Sequence, residues 1–250
     1  MFRTATAALA LGLALTAVPA AAFDLQSMSD AERDAFRAEI RAYLLDNPEV
    51  IMEAVAVLEQ RDAAQKAVED STLIEANGQA LFSDPNSWVG GNPNGDITLV
   101  EFVDYRCGYC RKAHDEVAKL VESDGNIRFI VKDFPILGPD STTSAQFAIA
   151  VHQLAGDDAY HAAGEALIKL KGSPEEPVLR RLAETLGLDG DAVLEKMDSD
   201  EVAAVINANH GLGANMQING TPTFVLGDQM LRGYLPLEGM RAMVKEIREE

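Results

Sequence analysis

Two cysteines, Cys107 and Cys110, are all that this 250-residue chain contains. Basic residues are also scarce: 21 Lys and Arg stand against 40 Asp and Glu, a formal net charge of −19. Aromatic residues make up 6%, with one tryptophan, Trp88, and beyond residue 22 no apolar run reaches the length of a transmembrane helix. Each shortage excludes something. Two cysteines separated by only Gly108 and Tyr109 cannot staple a disulfide scaffold, so stability must come from a core, which a 47% hydrophobic composition can supply. An acidic balance of this size repels phosphate backbones and anionic lipid, which excludes nucleic acid as an expected partner and reads mainly as solubility.

The apolar run that does exist is at the start. Met1–Ala22 carries one early charge, Arg3, an apolar stretch from Ala5 to about Val18, and the small-residue end Ala20-Ala21-Ala22. That layout predicts a secretory signal cleaved after Ala22, hence an exported and soluble mature protein; an uncleaved anchor is the other reading of the same run.

Residues 23–70 have a helical period. Ser29-x-x-Glu32 is a capping-box pattern opening a segment that places Phe36, Ile40, Tyr43 and Leu44 on one stripe. Asn47-Pro48 reads as a fresh N-cap with proline at the first helical position, followed by a second stripe of Ile51, Val55 and Leu58. Short helices with such stripes must bury them, either against their own domain or, as an oligomerisation stalk, against other copies of the chain. A polar stretch, about Glu69 to Asn77, joins this block to the rest.

From residue 80 to 250 the pattern changes. Trp88-Val89 and Ile97–Asp104 read as strands around a turn cluster at 90–95, a helix is expected over 108–121, and Ile127–Phe134 is another strand. This is a β-α-β unit with a parallel pair. Residues 140–212 have helical spacing with breaks at Gly156, Gly172-Ser173-Pro174 and Asp189-Gly190, and a hairpin about Gly227-Asp228 precedes a last amphipathic helix. The fold class expected is α/β with a helical insertion.

The cysteines sit within DYRCGYCRKAH, where the strong strand gives way to the helix. A helix N-terminus stabilises a thiolate, and Arg106, Arg111 and Lys112 add positive charge nearby. Cys107, at the junction, is placed to attack, and Cys110, one turn in, to resolve the mixed disulfide. An inert structural disulfide would restrain little, since the loop it closes is so small. Glu101 either points to solvent or interrupts an apolar strand face, where burial would raise its pKa and let it exchange a proton with Cys110. Thr221-Pro222 reads as a trans turn or a cis bond ahead of a strand, and a proline there is expected at a sheet edge. Cys107, Cys110 and His114 also have C-x2-C-x3-H spacing, and soft thiolates select Cu(I), so a copper carrier is the rival of a different class. The other histidines, His152, His161 and His210, read as ordinary residues of the helical insertion.

FVDYRCGYC after a strand, with GTPTF (Gly220–Phe224) about 110 residues later, resembles the thioredoxin superfamily in its DsbA-like form over roughly residues 80–250. The resemblance implies a thioredoxin fold with a helical insertion, a buried acid at Glu101, and a cis-proline at Pro222, preceded by Thr221, which receives substrate and keeps metal off the thiols. It implies no cofactor. Gly108-Tyr109 lacks the Pro-His of the family's strong oxidases and, with threonine before the proline, resembles the periplasmic disulfide isomerases. AEIRAYLLDNPEVIMEAVAVLEQ is similar to the N-terminal region of the suppressor-of-copper-sensitivity C proteins, in which this segment can trimerise. Together these imply a periplasmic disulfide isomerase or reductase, oligomeric with a trimer favoured, acting on exported cysteine-containing proteins and kept reduced by a membrane thiol donor. A dithiol oxidase, which a monomer would favour, is the alternative.

Overall fold

A computed structural model describes residues 26–249, so the signal-peptide expectation for 1–22 lies outside the described residues. Ten helices and five strands are formed among those residues. The chain divides within its second helix into one unit ending at Glu59 and another beginning at Gln60.

The first unit holds α1 (Asp30–Asp46) and the first part of α2 (Glu49–Ala76). The capping box forms as the sequence predicts: the Glu32 N–H donates to the Ser29 hydroxyl, and the Ser29 N–H donates to the Glu32 carboxylate at 2.9 Å. Asn47 behaves differently from expectation. Its backbone and side-chain N–H groups both donate to the Tyr43 carbonyl, at 2.8 and 2.9 Å, so it closes α1 instead of capping α2. No residue of α1 is buried. Phe36, Ile40, Tyr43, Ile51, Val55 and Leu58 are exposed, and Leu44 is half-buried. The apolar stripe is therefore largely solvent-exposed among the described residues.

In the second unit, α2 continues unbroken through the polar stretch to Ala76, where Asp70 and Ile74 become buried. Asp70 receives two hydrogen bonds from the Arg232 guanidinium, at 2.6 and 2.7 Å, which fasten the helix to the last strand. After α3 (Gly78–Phe82) come β1 (Trp88–Gly91), β2 (Ile97–Val103), α4 (Gly108–Asp124) and β3 (Ile127–Asp133). The insertion is α5 (Pro139–Ala155), α6 (Asp157–Lys169), α7 (Glu176–Thr185), α8 (Gly190–Met197) and α9 (Asp200–Asn215). A break that the sequence reading missed, at Asp198-Ser199, separates the last two; the Ser199 hydroxyl accepts the Val202 N–H and caps α9. The hairpin β4 (Thr223–Leu226) and β5 (Gln229–Arg232) and α10 (Leu237–Glu249) complete the chain.

The strands form one sheet in the order β1-β3-β2-β4-β5. Among the described strands only β2 and β3 run parallel, as a β-α-β crossover requires, with Glu101 beside Val131. Side chains alternate along β2: Val100 and Phe102 pack with Ile130, Val225 and Met216 on one face, while Leu99 packs with Val117, Leu120, Phe224 and Val244 on the other. A third apolar cluster lies among α5–α9 and reaches Val103, Cys107 and Cys110. Pro222 is not at a sheet edge as expected. It precedes β4, which is flanked by β2 and β5, and it avoids a missing ladder donor by standing just ahead of the paired residues.

Candidate active site

β2 ends at Val103, and the next three residues turn the chain into α4. Asp104 holds that turn. Its carboxylate accepts from the Arg106 N–H at 2.8 Å and from the Ile136 and Leu137 N–H groups at 2.9 and 3.2 Å, tying the strand end to the loop after β3. The sequence reading passed over Asp104, although an Asp following a strand and preceding a helix is a turn-forming signal. Cys107 then occupies the N-cap of α4 with extended backbone, and Gly108, Tyr109 and Cys110 form its first turn.

The two sulfurs are unequal. Cys107 is 7% exposed and Cys110 fully buried. The Cys110 thiol donates to the Cys107 sulfur, and this is the largest influence holding Cys107 down at about 5; the Thr221 side chain and the N–H groups of Cys110 and Tyr109 assist against the cost of burial. The same hydrogen bond, followed by burial and the nearby Glu101 carboxyl, pushes the Cys110 thiol strongly up. At neutral pH the pair is one thiolate over one thiol.

Thr221 meets Cys107 in two ways. As a thiol, the Cys107 S–H donates to the Thr221 carbonyl at 3.1 Å. The Thr221 hydroxyl is buried and has no hydrogen-bond partner among the described residues, which leaves it available to donate to the sulfur once that sulfur is a thiolate. The Thr221–Pro222 peptide is cis.

Glu101 points inward, not to solvent, and is 5% exposed. Burial, and then the charge of Cys107, raise its carboxyl to about 8. No hydrogen bond to its carboxyl is formed among the described residues, and its charge in turn bears on Cys110. The Arg111 charge does bear on Cys107, and the basic side chains also have partners of their own. The guanidinium groups of Arg106 and Arg111 donate to the Leu170 carbonyl at 3.1 and 2.8 Å, and the Lys112 ammonium lies 4.1 Å from the centre of the Tyr234 ring. Tyr109, 63% exposed, stacks on Tyr234 with ring centres 6.5 Å apart. His114 bonds Glu165 on α6.

A second buried carboxyl escaped the sequence reading. The Tyr105 hydroxyl donates to that of Tyr160 at 3.3 Å, which donates to the Asp133 carboxylate at 3.0 Å. Burial still raises Asp133 to about 6. Its place at the end of an apolar strand was the available signal.

Cys107, Cys110, Glu101, Gly108, Tyr109, Thr221 and Pro222 thus meet at one end of the sheet, whereas Phe36 through Leu58 belong to the first unit. A low-pKa thiolate above a protonated thiol, with a buried carboxyl beside it, is equipped for thiol–disulfide exchange. The model of the DSBA-like thioredoxin domain matches residues 98–245. The chain belongs to that family. Its members are thiol–disulfide oxidoreductases of thioredoxin fold, and the copper resistance protein ScsC N-terminal domain also matches, over residues 32–65.

A thioredoxin-like oxidoreductase from Silicibacter pomeroyi DSS-3 is 38% identical, covers 69% of this chain and 98% of its own, and superposes with a TM-score of 0.63. A linker-deletion mutant of Proteus mirabilis ScsC, 23% identical, shares the fold with a TM-score of 0.66 over 91% of this chain and all of that one. The Na(+)/H(+) antiporter NhaA 1 of Salinispora arenicola is 31% identical over 62% of this chain, which spans only 24% of that protein's length.

Proposed function

We propose that this DsbA-like protein is a periplasmic disulfide isomerase and reductase of exported proteins. The observation that carries the reading is the inequality of the two thiols. The Cys107 thiolate attacks one sulfur of a client disulfide; a mixed disulfide forms and the client's other sulfur leaves as a thiolate. With the Cys107 charge consumed, Glu101 releases its own proton to solvent; the carboxylate then takes the Cys110 proton, and the Cys110 sulfur attacks that of Cys107. This releases the reduced client and leaves a Cys107–Cys110 disulfide, two electrons having passed to the client. In isomerisation a client thiolate attacks the mixed disulfide instead, so the protein ends as it began. Reduction consumes two electrons per turnover, which calls for a membrane thiol donor.

The exposed Phe36–Leu58 stripe supports an oligomer, a trimer being favoured, in which several Cys107 sulfurs surround one client. The strongest support for the oxidase alternative is Cys107 itself. Its value of about 5 lies between the ~7 of thioredoxin and the ~3.5 of DsbA, and a stable thiolate makes its disulfide more oxidising. For copper carriage the supporting pair is Cys107 and Cys110, but His114 is occupied by Glu165.

The test is repair of scrambled ribonuclease beside oxidation of its reduced form. The isomerase reading requires faster repair than oxidation in a glutathione buffer, and loss of both in Cys107→Ala. Oxidation without repair would establish the oxidase instead, and activity in Cys107→Ala would defeat both. Stoichiometric Cu(I) binding without turnover of either substrate would favour the carrier.

A further inference from the structure

Between α4 and α6, over the sheet, lies a cavity of about 570 Å³. That volume falls in the range of small-molecule sites, roughly 300–1,000 Å³. Its walls are mainly apolar and include the rings of Trp88, Phe129 and Tyr160. Trp88 is held rigidly: its indole N–H donates to the Asp157 carbonyl at 3.1 Å, and its ring stacks on His161 with planes 7° apart. Glu101 reaches the same cavity from β2. It is a buried residue of the wall, 5% exposed, to whose carboxyl no hydrogen bond is formed among the described residues.

Three carboxyl groups stand on the walls, one of which, Glu165, is also paired with Lys169. Glu101, Glu122 and Glu165 line the cavity, and no lysine or arginine does so among the described residues. His114, the basic side chain nearest in kind, is tied to Glu165. Aromatic faces with carboxylates suit a flat organic cation: its ring stacks on Trp88 and Phe129, and its N–H groups satisfy the Glu101 carboxyl.

We propose that this cavity is a binding site for small arylalkylamines, with the ammonium group hydrogen-bonded to Glu101. Such a ligand enters between α4 and α6 and needs no contact with the exposed face of Cys107 that a client meets. The site is thus separate from disulfide exchange while sharing one residue with it.

Trp88, as the single tryptophan, reports on the cavity directly. The experiment titrates the oxidised full-length protein with 2-phenylethylamine, 2-phenylethanol and 3-phenylpropionate at pH 8.5, where Glu101 is ionised, and follows Trp88 fluorescence excited at 295 nm. The amine should give a saturable change with a Kd at least about tenfold below that of the alcohol, and the carboxylate should give none. Glu101→Gln should weaken the amine at least about tenfold and leave the alcohol unaltered. Ala118→Phe, at an exposed α4 position on the cavity mouth, should abolish both responses and preserve insulin reduction. Equal affinity for amine and alcohol, or absence of a saturable response to any probe, overturns the proposal. Should Glu101→Gln fail to fold, the wild-type ranking of the three probes still decides.

Discussion

Thr221 offers a sharp test of how the nucleophile is made. Among the described residues its buried hydroxyl has no hydrogen-bond partner, and its side chain is among the groups that hold the Cys107 thiol down, so Thr221→Val removes one donor available to the thiolate with little change of shape. The carbonyl of residue 221, which accepts from the thiol form, remains. A hydrogen bond to a charged group contributes about 1.5–3 kcal/mol, and each pH unit of a thiol's titration corresponds to about 1.4 kcal/mol. The loss should therefore raise the titration midpoint of Cys107 from about 5 by about one to two pH units. Destabilising the thiolate stabilises the disulfide relative to the dithiol, and the same energy corresponds to a reduction potential about 30–65 mV more negative. Thiolate absorbance at 240 nm against pH gives the first number, and equilibration with glutathione the second. A midpoint unmoved within about 0.3 pH unit would refute the assignment of that hydroxyl, leaving the thiolate to Cys110 and the helix N–H groups alone.

Glu101→Gln should leave the first attack by Cys107 intact but slow release of the mixed disulfide by about 10²–10⁴-fold, the usual contribution of a positioned base; rapid-quench trapping with unchanged release would count against a proton-accepting role. The same substitution should alter stability in a pH-dependent way. The folded carboxyl is raised from an ordinary 4.5 to about 8, so folding loses stability as pH rises through that window, and Glu101→Gln should gain on the native sequence by about 3–4 kcal/mol between pH 5 and 8. A urea-denaturation difference that is flat with pH would sink this. Removal of residues 23–59, ending at the boundary between the two units, should convert an oligomer to a monomer in analytical ultracentrifugation and reduce ribonuclease repair; a monomeric intact protein would refute the stalk. Arg232→Met should strand the Asp70 carboxylate and lower unfolding free energy by about 1–3 kcal/mol, with faster amide exchange over residues 60–76; unchanged exchange would mean the pair does not fasten α2.

The site was legible where chemistry is local. C-x-x-C at a strand-to-helix junction announces its own geometry, because the N–H groups that stabilise Cys107 belong to the next turn of the same segment. The hairpin about Gly227-Asp228 and the capping box of α1 are likewise settled within a few residues. Long-range pairings were not legible. Nothing in an isolated stretch shows that Arg106 and Arg111 turn to the Leu170 carbonyl, or that Tyr160 of α6 reaches Asp133 at the end of β3. Pro222 failed as an edge marker for a related reason: the rule concerns prolines inside a ladder, and the placement of β4 between β2 and β5 depends on a strand more than a hundred residues away. Glu101 stood between the two cases, since its strand alternation could be read but not which face the insertion would cover.

The proposed chemistry also gains an order of events from the way these groups influence one another. In the resting reduced site Cys107 carries the negative charge, and that charge keeps the proton on Glu101 as well as drawing the Cys110 S–H toward itself. Attack on a client disulfide consumes the charge, because the Cys107 sulfur becomes half of a neutral mixed disulfide. One of the two influences raising Glu101 disappears at that moment, and the hydrogen bond that most strongly holds the proton on Cys110 loses its anionic acceptor. The first change lets Glu101 release its own proton to solvent, the second frees the Cys110 proton to move to the carboxylate so formed, and both arise only after the client is attached. A buried thiol that would be inert in the free protein is thereby released at the step that needs it. The requirement is simple: Glu101 must be near enough to feel Cys107, yet have no fixed hydrogen-bond partner that would settle its proton in advance.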